Sequence, residues 1–216
     1  MTTKANDRTP PTDTVDFTMM YVAHAAFTRD LRRLSLTAGL GEAAAPSARA
    51  RWARFIRQLH LHHRTEDAAL WPLLRKAPLT PGEVAVLDAM EAEHASIDPL
   101  LAQVEDALDV VDAAGLRAGV RDLTAHLTTH MRHEEEAALP LVKSHLGPDG
   151  WAMFGAAIRK EQGMRGAAEF FPWLLDDAPE HDRAAVLGML PPPVRMLYRL
   201  VWAPRYRKAV PADATG

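Results

Sequence analysis

The 216-residue chain has no cysteine, which excludes disulfides, iron–sulfur clusters, thiolate zinc sites and cysteine nucleophiles together. Any metal it binds must sit on nitrogen and oxygen. Long apolar runs are also missing: no stretch approaches the roughly 18 uninterrupted apolar residues of a membrane span. The first 15 residues, MTTKANDRTPPTDTV, are polar with a proline pair and lack the apolar core of a secretory signal, so a cytoplasmic protein is expected. An excess of positive charge is absent as well. With 25 basic and 28 acidic side chains the formal charge is -3, and no whole-chain polycation exists to hold a nucleic-acid backbone. Aromatic residues make up only 6 %, but hydrophobic residues at 48 % and charged ones at 25 % suit a compact globular chain rather than a disordered one. Histidine is the residue in surplus. There are 10, most of them inside apolar helical patterns rather than in loops.

Four amphipathic stripes follow one another at spacings of three and four. The first is Phe17, Met20, His24, Phe27, Leu31, Leu34, ending near Gly39 or Gly41. The second is Trp52, Phe55, Leu59, His62, Glu66, Leu70, Leu73, entered at Pro46-Ser47 and stopped by Pro78 and Pro81-Gly82, with Pro72 expected to kink its end. A third runs Val84, Leu87, Met90, His94, Ile97, Leu101, Val104, Leu108 and closes near Gly115. The fourth reads Leu116, Val120, Leu123, Leu127, His130, Glu134, Ala138, Leu141 and stops at Gly147-Pro148. Four long helices with short connections predict an all-α, up-down-up-down four-helix bundle over residues 16–147, behind a disordered tail at 1–15.

Residues 148–216 are expected to form a helical extension. Trp151, Phe154, Ile158 and Glu161 suggest a fifth helix, which Gly163 and Gly166 weaken. Pro191-Pro192-Pro193 predicts an extended spacer before a last helix from Val194 to about Arg207. That helix and its end carry Arg195, Arg199, Arg205, Arg207 and Lys208 among Tyr198, Trp202 and Tyr206, with no acid. Two readings are open for residues 194–208: contact with an acidic lipid surface or protein partner, or packing over the bundle with solvated arginines, which ordinary amphipathic behaviour favours.

Each of the four stripes holds one histidine where a hydrophobic residue is expected: His24, His62, His94 and His130. His62 and His130 are each followed one turn later by a glutamate, Glu66 and Glu134, and a pair at i and i+4 shares one helix face about 6 Å apart. H-x-x-x-E-x-x-x-x-x-P occurs twice, at His62 to Pro72 and His130 to Pro140, so the second half repeats the first. Expected helix ends near 38, 76 and 112, with restarts near 49, 82 and 116, put His24 about 14 residues before its helix end and His62 about 13 after the next start. The same count brings Glu66, His94, His130 and Glu134 to that level. A buried layer of four imidazoles and two carboxylates is poorly satisfied by internal hydrogen bonds and is resolved by metal. Nitrogen and carboxylate donors suit iron, manganese or zinc, and two carboxylates between histidine-bearing helices suit a pair of ions.

The motifs LHLHHRTEDAALWPLL and LTTHMRHEEEAALPLV, each with its lone histidine on the preceding helix, resemble the hemerythrin-like HHE cation-binding family over residues 17–146. The resemblance implies a non-haem di-iron centre with an oxo or hydroxo bridge (Fe-O-Fe) that binds or reduces dioxygen, hydrogen peroxide or nitric oxide, or senses iron and oxygen. It assigns the ligand role to His24, His62, Glu66, His94, His130 and Glu134. Oxygen-carrying members have a further histidine one turn before the third-helix ligand, where this chain has Met90. The emptier ligand set points away from oxygen storage and toward peroxide turnover, oxidation or sensing, at an open position near Met90. His63, Asp67, His126, His133 and Glu135 flank the motifs and are candidates to complete or support the shell. His60, His145 and His181 fall on surfaces or near helix ends. Trp52, Trp71 and Trp151 read as packing residues. The competing functions are an iron- or oxygen-responsive sensor acting through the C-terminal extension, a di-iron oxidase of a small organic substrate, and a purely structural bundle, which leaves the polar layer unexplained.

Overall fold

A computed structural model describes residues 14–40 and 46–210, and no strand occurs among them. The tail expected at 1–15 lies outside these residues apart from Thr14 and Val15, as does Gly41. Helix α1 (Thr18–Gly39) opens where the Thr18 N–H donates to the Asp16 carboxylate at 2.9 Å. Helix α2 (46–74) consists of α-helical Pro46–Thr65, a π-helical turn Glu66–Leu70, and Trp71–Leu74. Helix α3 (Pro81–Asp109) starts at a capping box: the Thr80 hydroxyl accepts from the Glu83 N–H, and Glu83 accepts from the Thr80 N–H. Helix α4 (113–146) is capped by Asp112 and carries two π turns, Glu134–Ala138 and Val142–Leu146. The four form a closed ring, with α1 beside α2 and α4, and α3 beside α2 and α4.

The π turns correct the expected stripes. Each ends two residues before a proline: Pro72, Pro140, Pro148 and, in the last helix, Pro204. Proline lacks an N–H and its ring crowds the carbonyl four residues back, and a widened turn relieves that contact. The Trp71 N–H accordingly reaches back five residues to the Glu66 carbonyl, and the Leu139 N–H to the Glu134 carbonyl. The extra residue advances the apolar face by one position. Leu74 and Val142 are therefore fully buried in place of Leu73 and Leu141, which are only half-buried. Proline alone does not dictate the feature, since Pro99 and Pro172 sit in ordinary α-helix.

Helix α5 (Gly147–Leu174) leaves α4 at Gly147, whose φ of 60° is open to glycine, and breaks at Gly163, with φ 58° and ψ -171°. Helix α6 (Glu180–Met189) and helix α7 (192–209) complete the described chain. No extended spacer precedes α7: Pro191 caps it, and Pro192 and Pro193 occupy its first turn, where a missing N–H leaves no hydrogen bond unmade. Two apolar clusters result. The larger joins Phe27, Leu31, Phe55, Leu59, Leu123 and Leu127 to Trp173, Leu174, Tyr198 and Trp202, so α7 packs by its aromatic face. The smaller gathers Met20, Leu70, Trp71, Leu87, Met90 and Leu139 under Phe154 of α5. Along α2 and α3 the histidine and glutamate positions fall between the two clusters, on α1 His24 stands between Met20 of the smaller and Phe27 of the larger, and on α4 His130 and Glu134 lie between Leu127 and Ala138.

Candidate metal centre

The six stripe residues meet in one layer. His24 and His62 bring their Nε2 atoms to 3.3 Å across α1 and α2, and His94 and His130 bring theirs to 3.1 Å across α3 and α4. The glutamates tie the pairs crosswise. Glu134 on α4 lies 3.1 Å from His24 Nε2 on α1, while Glu66 on α2 lies 3.2 Å from His62 Nε2 and 3.6 Å from His94 Nε2 on α3. Both glutamates are 0 % exposed. Each stands at the first position of a π turn, so the proline six residues later shapes the backbone on which it is carried.

A second ring of carboxylates orients the imidazoles. Asp67 bonds His94 Nδ1 at 2.8 Å, Glu135 bonds His24 Nδ1 at 2.6 Å, and Glu93 bonds His130 Nδ1 at 2.9 Å. A carboxylate at Nδ1 accepts a hydrogen bond from the N–H there, which for His94 and His130 favours the tautomer with the Nε2 lone pair aimed inward. Asp67 and Glu135 each directly follow a layer glutamate, so the sequence repeat extends to the supporting shell. Glu93 has no equivalent, because the residue before His24 is Ala23. It also accepts from His133 Nδ1 at 2.7 Å, which links the layer to a half-exposed imidazole. The sequence pattern does not single out Glu93; its role arises across two helices, from α3 to α4.

His63 is buried, stacks on His94 at 4.0 Å between ring centroids, and has no hydrogen-bond partner at Nε2. His126 does not reach the layer. It is exposed and bonds the Asp122 carbonyl of its own helix, because Leu127 occupies the inward position at that level. Met90 is fully buried in the smaller apolar cluster, one turn from His94.

The electrostatics of the layer are those of clustered donors. Burial works to lower the His24 pKa, but Glu134 and Glu135 outweigh it and raise it to about 9. Burial and the charge on His24 push His62 down to about 3, and burial with the neighbouring imidazoles holds His63 well below the usual histidine range. Burial and the nearby Glu134 raise Glu66, whereas Glu134, although burial opposes it, is held at about 2 by its contact with His24. Neither buried glutamate makes a well-directed hydrogen bond through either oxygen. Without a metal His24 and Glu134 answer each other as an ion pair, while His62, His63 and Glu66 are left with lone pairs in a dry interior, an arrangement that a cation satisfies and a hydrogen-bond network does not. Among the described residues two groups of donors have the required convergence, His24 with His62 and Glu134, and His63 with His94 and His130, each with ligand atoms within 4.8 Å of one another.

No curated protein and no solved structure matches the chain. The family model of the hemerythrin HHE cation-binding domain matches residues 15–142, which spans the four bundle helices to within one turn of the end of α4 and stops short of α5, α6 and α7. The chain belongs to the hemerythrin HHE cation-binding domain family.

Proposed function

We propose that this protein holds two non-haem irons in the layer between its two apolar clusters and reacts through them with hydrogen peroxide, dioxygen or nitric oxide, with peroxide handling favoured over oxygen storage. The observation that carries the reading is the pair of fully buried glutamates whose oxygens lack hydrogen bonds, set among four inward-facing imidazoles. His24, His62 and Glu134 would hold one iron, and His94 and His130 the other, with Glu66 reaching from α2 to the His94 side. His63 adds a third imidazole beside His94 and His130. Manganese and zinc accept the same donors, and iron is favoured by the family. When bound, a di-iron pair supplies the electrons and the open coordination position that peroxide or a diatomic requires.

The chain's own contribution is orientation and exclusion of water. Asp67, Glu93 and Glu135 orient the rings, and the apolar clusters on either side keep the layer dry. Met90 offers no nitrogen one turn before His94, whereas His63, buried beside His94 and His130, would supply a third imidazole on that side, so the preference for peroxide turnover over oxygen storage rests on the family pattern at Met90 and is decided by the spectra. Elemental analysis of protein purified without added metal, with optical spectra before and after peroxide, tests the reading. Two irons per chain and a near-ultraviolet absorption that responds to peroxide are expected. A Glu66→Ala, Glu134→Ala double variant is expected to lose both, and peroxide turnover surviving in that variant would refute the proposal.

A second reading, an iron- or oxygen-responsive sensor, is favoured by one contact chain. The His62 ring lies 5.4 Å from Phe27, and Phe27 lies 5.1 Å from Trp173 of α5, so an aromatic path leads from the layer to the C-terminal helices, beside the direct packing of the Glu66 π turn on α5. No specific observation favours an organic-substrate oxidase: a cavity of about 330 Å³ between α1 and the α5–α6 turn has none of the layer's histidines or glutamates in its wall.

A further inference from the structure

Charge is segregated along this chain. From Arg183 to Ala212 the sequence carries six cations, Arg183, Arg195, Arg199, Arg205, Arg207 and Lys208, and no aspartate or glutamate, although the whole chain is formally -3. Helix α7 divides this segment into two faces. One is committed to the fold: Tyr198, Trp202 and Ala203 are buried in the larger cluster, and the Tyr206 hydroxyl bonds Asp176 at 3.2 Å. The other is open and apolar as well as basic. Leu200 is 70 % exposed and Met196 58 %, with Leu197 and Met189 also exposed beside them.

Arg195 and Arg199 stand one turn apart on this open side, and with Pro192, Met196 and Leu200 they line a groove of about 220 Å³. Arg195 donates from Nη2 to the Leu190 carbonyl at 3.1 Å, while its buried Nε has no acceptor. The bond to Leu190 holds the guanidinium at the groove edge beside the exposed Arg199, and its remaining Nη donors suit an anionic oxygen.

We infer that the outer face of α7 docks on an anionic lipid bilayer, with Met196 and Leu200 entering the interfacial layer while Arg195 and Arg199 meet lipid phosphates. Exposed aliphatic side chains interleaved with unpaired cations suit the boundary between acyl chains and phosphates, where each finds its own medium. Contact is peripheral, since no helix among the described residues is long and apolar enough to cross a membrane. A second copy fits poorly, because a two-fold contact sets this acid-free face against itself. Residues 1–13 carry two cations and two anions and offer no complementary charge.

Cosedimentation of the full-length protein with phosphatidylcholine vesicles, with and without phosphatidylglycerol, tests the inference independently of the metal. Binding is expected to anionic vesicles only, to fall as salt rises, and to weaken about fivefold for each of Arg195→Gln and Arg199→Gln. Met196→Glu with Leu200→Glu is expected to abolish it while circular dichroism and metal content stay unchanged. Equal binding to neutral vesicles, no binding, or full binding by the glutamate variant overturns the inference. A wild-type dimer that the glutamate variant dissociates, without vesicle binding by either, assigns the face to a second copy instead.

Discussion

At the scale of single residues, the site is two concentric sets of side chains with different origins. The inner set repeats in sequence, His62 to Glu66 and His130 to Glu134, and so do Asp67 and Glu135 directly behind them. Glu93 breaks the symmetry by bonding His130 and His133 together. It therefore orients one imidazole of the layer without touching the centre itself. Glu93→Ala is expected to lower metal affinity by about 10- to 100-fold, as loss of such carboxylates commonly does. Competition with a chelator reads this directly. Glu91→Ala, two residues away and bonded to Arg75 at the surface, is the control that should leave affinity unchanged. If both variants behave alike, Glu93 has no orienting role. The lone histidines were legible because a polar residue on an apolar stripe stands out. Glu93 was not, because an acid beside a histidine on a partly exposed helix face is ordinary until a second helix supplies its partner.

At the scale of elements, proline and backbone geometry decide details that periodicity misses. A stripe counted at three and four assumes an unbroken α-helix, and the π turns at Glu66 and Glu134 shift everything after them by one residue. That is why Trp71 and Leu74, rather than Leu73, point inward. The turn between α3 and α4 is a second such case. Val111 sits there at φ 58°, and the Asp112 N–H closes the turn on the Ala107 carbonyl at 2.8 Å. A left-handed conformation costs an L-residue roughly 1–2 kcal/mol, and a β-branched one is poorly suited to it. Val111 is half exposed, so little packing is lost by removing its side chain. Val111→Gly is expected to stabilise the protein by up to about 1 kcal/mol after the added freedom of the unfolded chain is subtracted, raising Tm by about 2–4 °C. Thermal unfolding of the metal-free protein checks this, and a lowered Tm would show that the valine's contacts outweigh its strain.

At the scale of the whole molecule, a polar layer divides one interior into two apolar clusters, and the C-terminal helices cover both. Phe154 of α5 closes the smaller cluster, and Trp173, Tyr198 and Trp202 close the larger. Arg29, Asp30 and Arg33 of α1 hold that cover, through the Asp176 carbonyl, the Trp173 indole N–H and the Asp176 carboxylate respectively. One route by which metal state reaches the cover runs from His62 through Phe27 to Trp173. The sensor reading then predicts that protease cleavage within 170–210 differs between metal-free and iron-loaded protein, and that Phe27→Leu reduces the difference. Equal protection of that region in both states removes the case for a sensor.

Four helices, their lone histidines and the paired H-x-x-x-E motifs were determined by sequence alone, because helical periodicity and proline or glycine stops are local properties. The tertiary structure decided what depends on chain segments meeting: that Glu134 answers to His24 and Glu66 to His94, that Glu93 supports His130, and that His126 turns outward while His63 is buried. It also decided that α7 packs by its aromatic face and leaves Met196 and Leu200 to solvent. The physical reason is common to all of these. A helix's own pattern says which side is apolar, whereas which neighbour meets that side, and which polar atom then lacks a partner, is set only when the helices assemble.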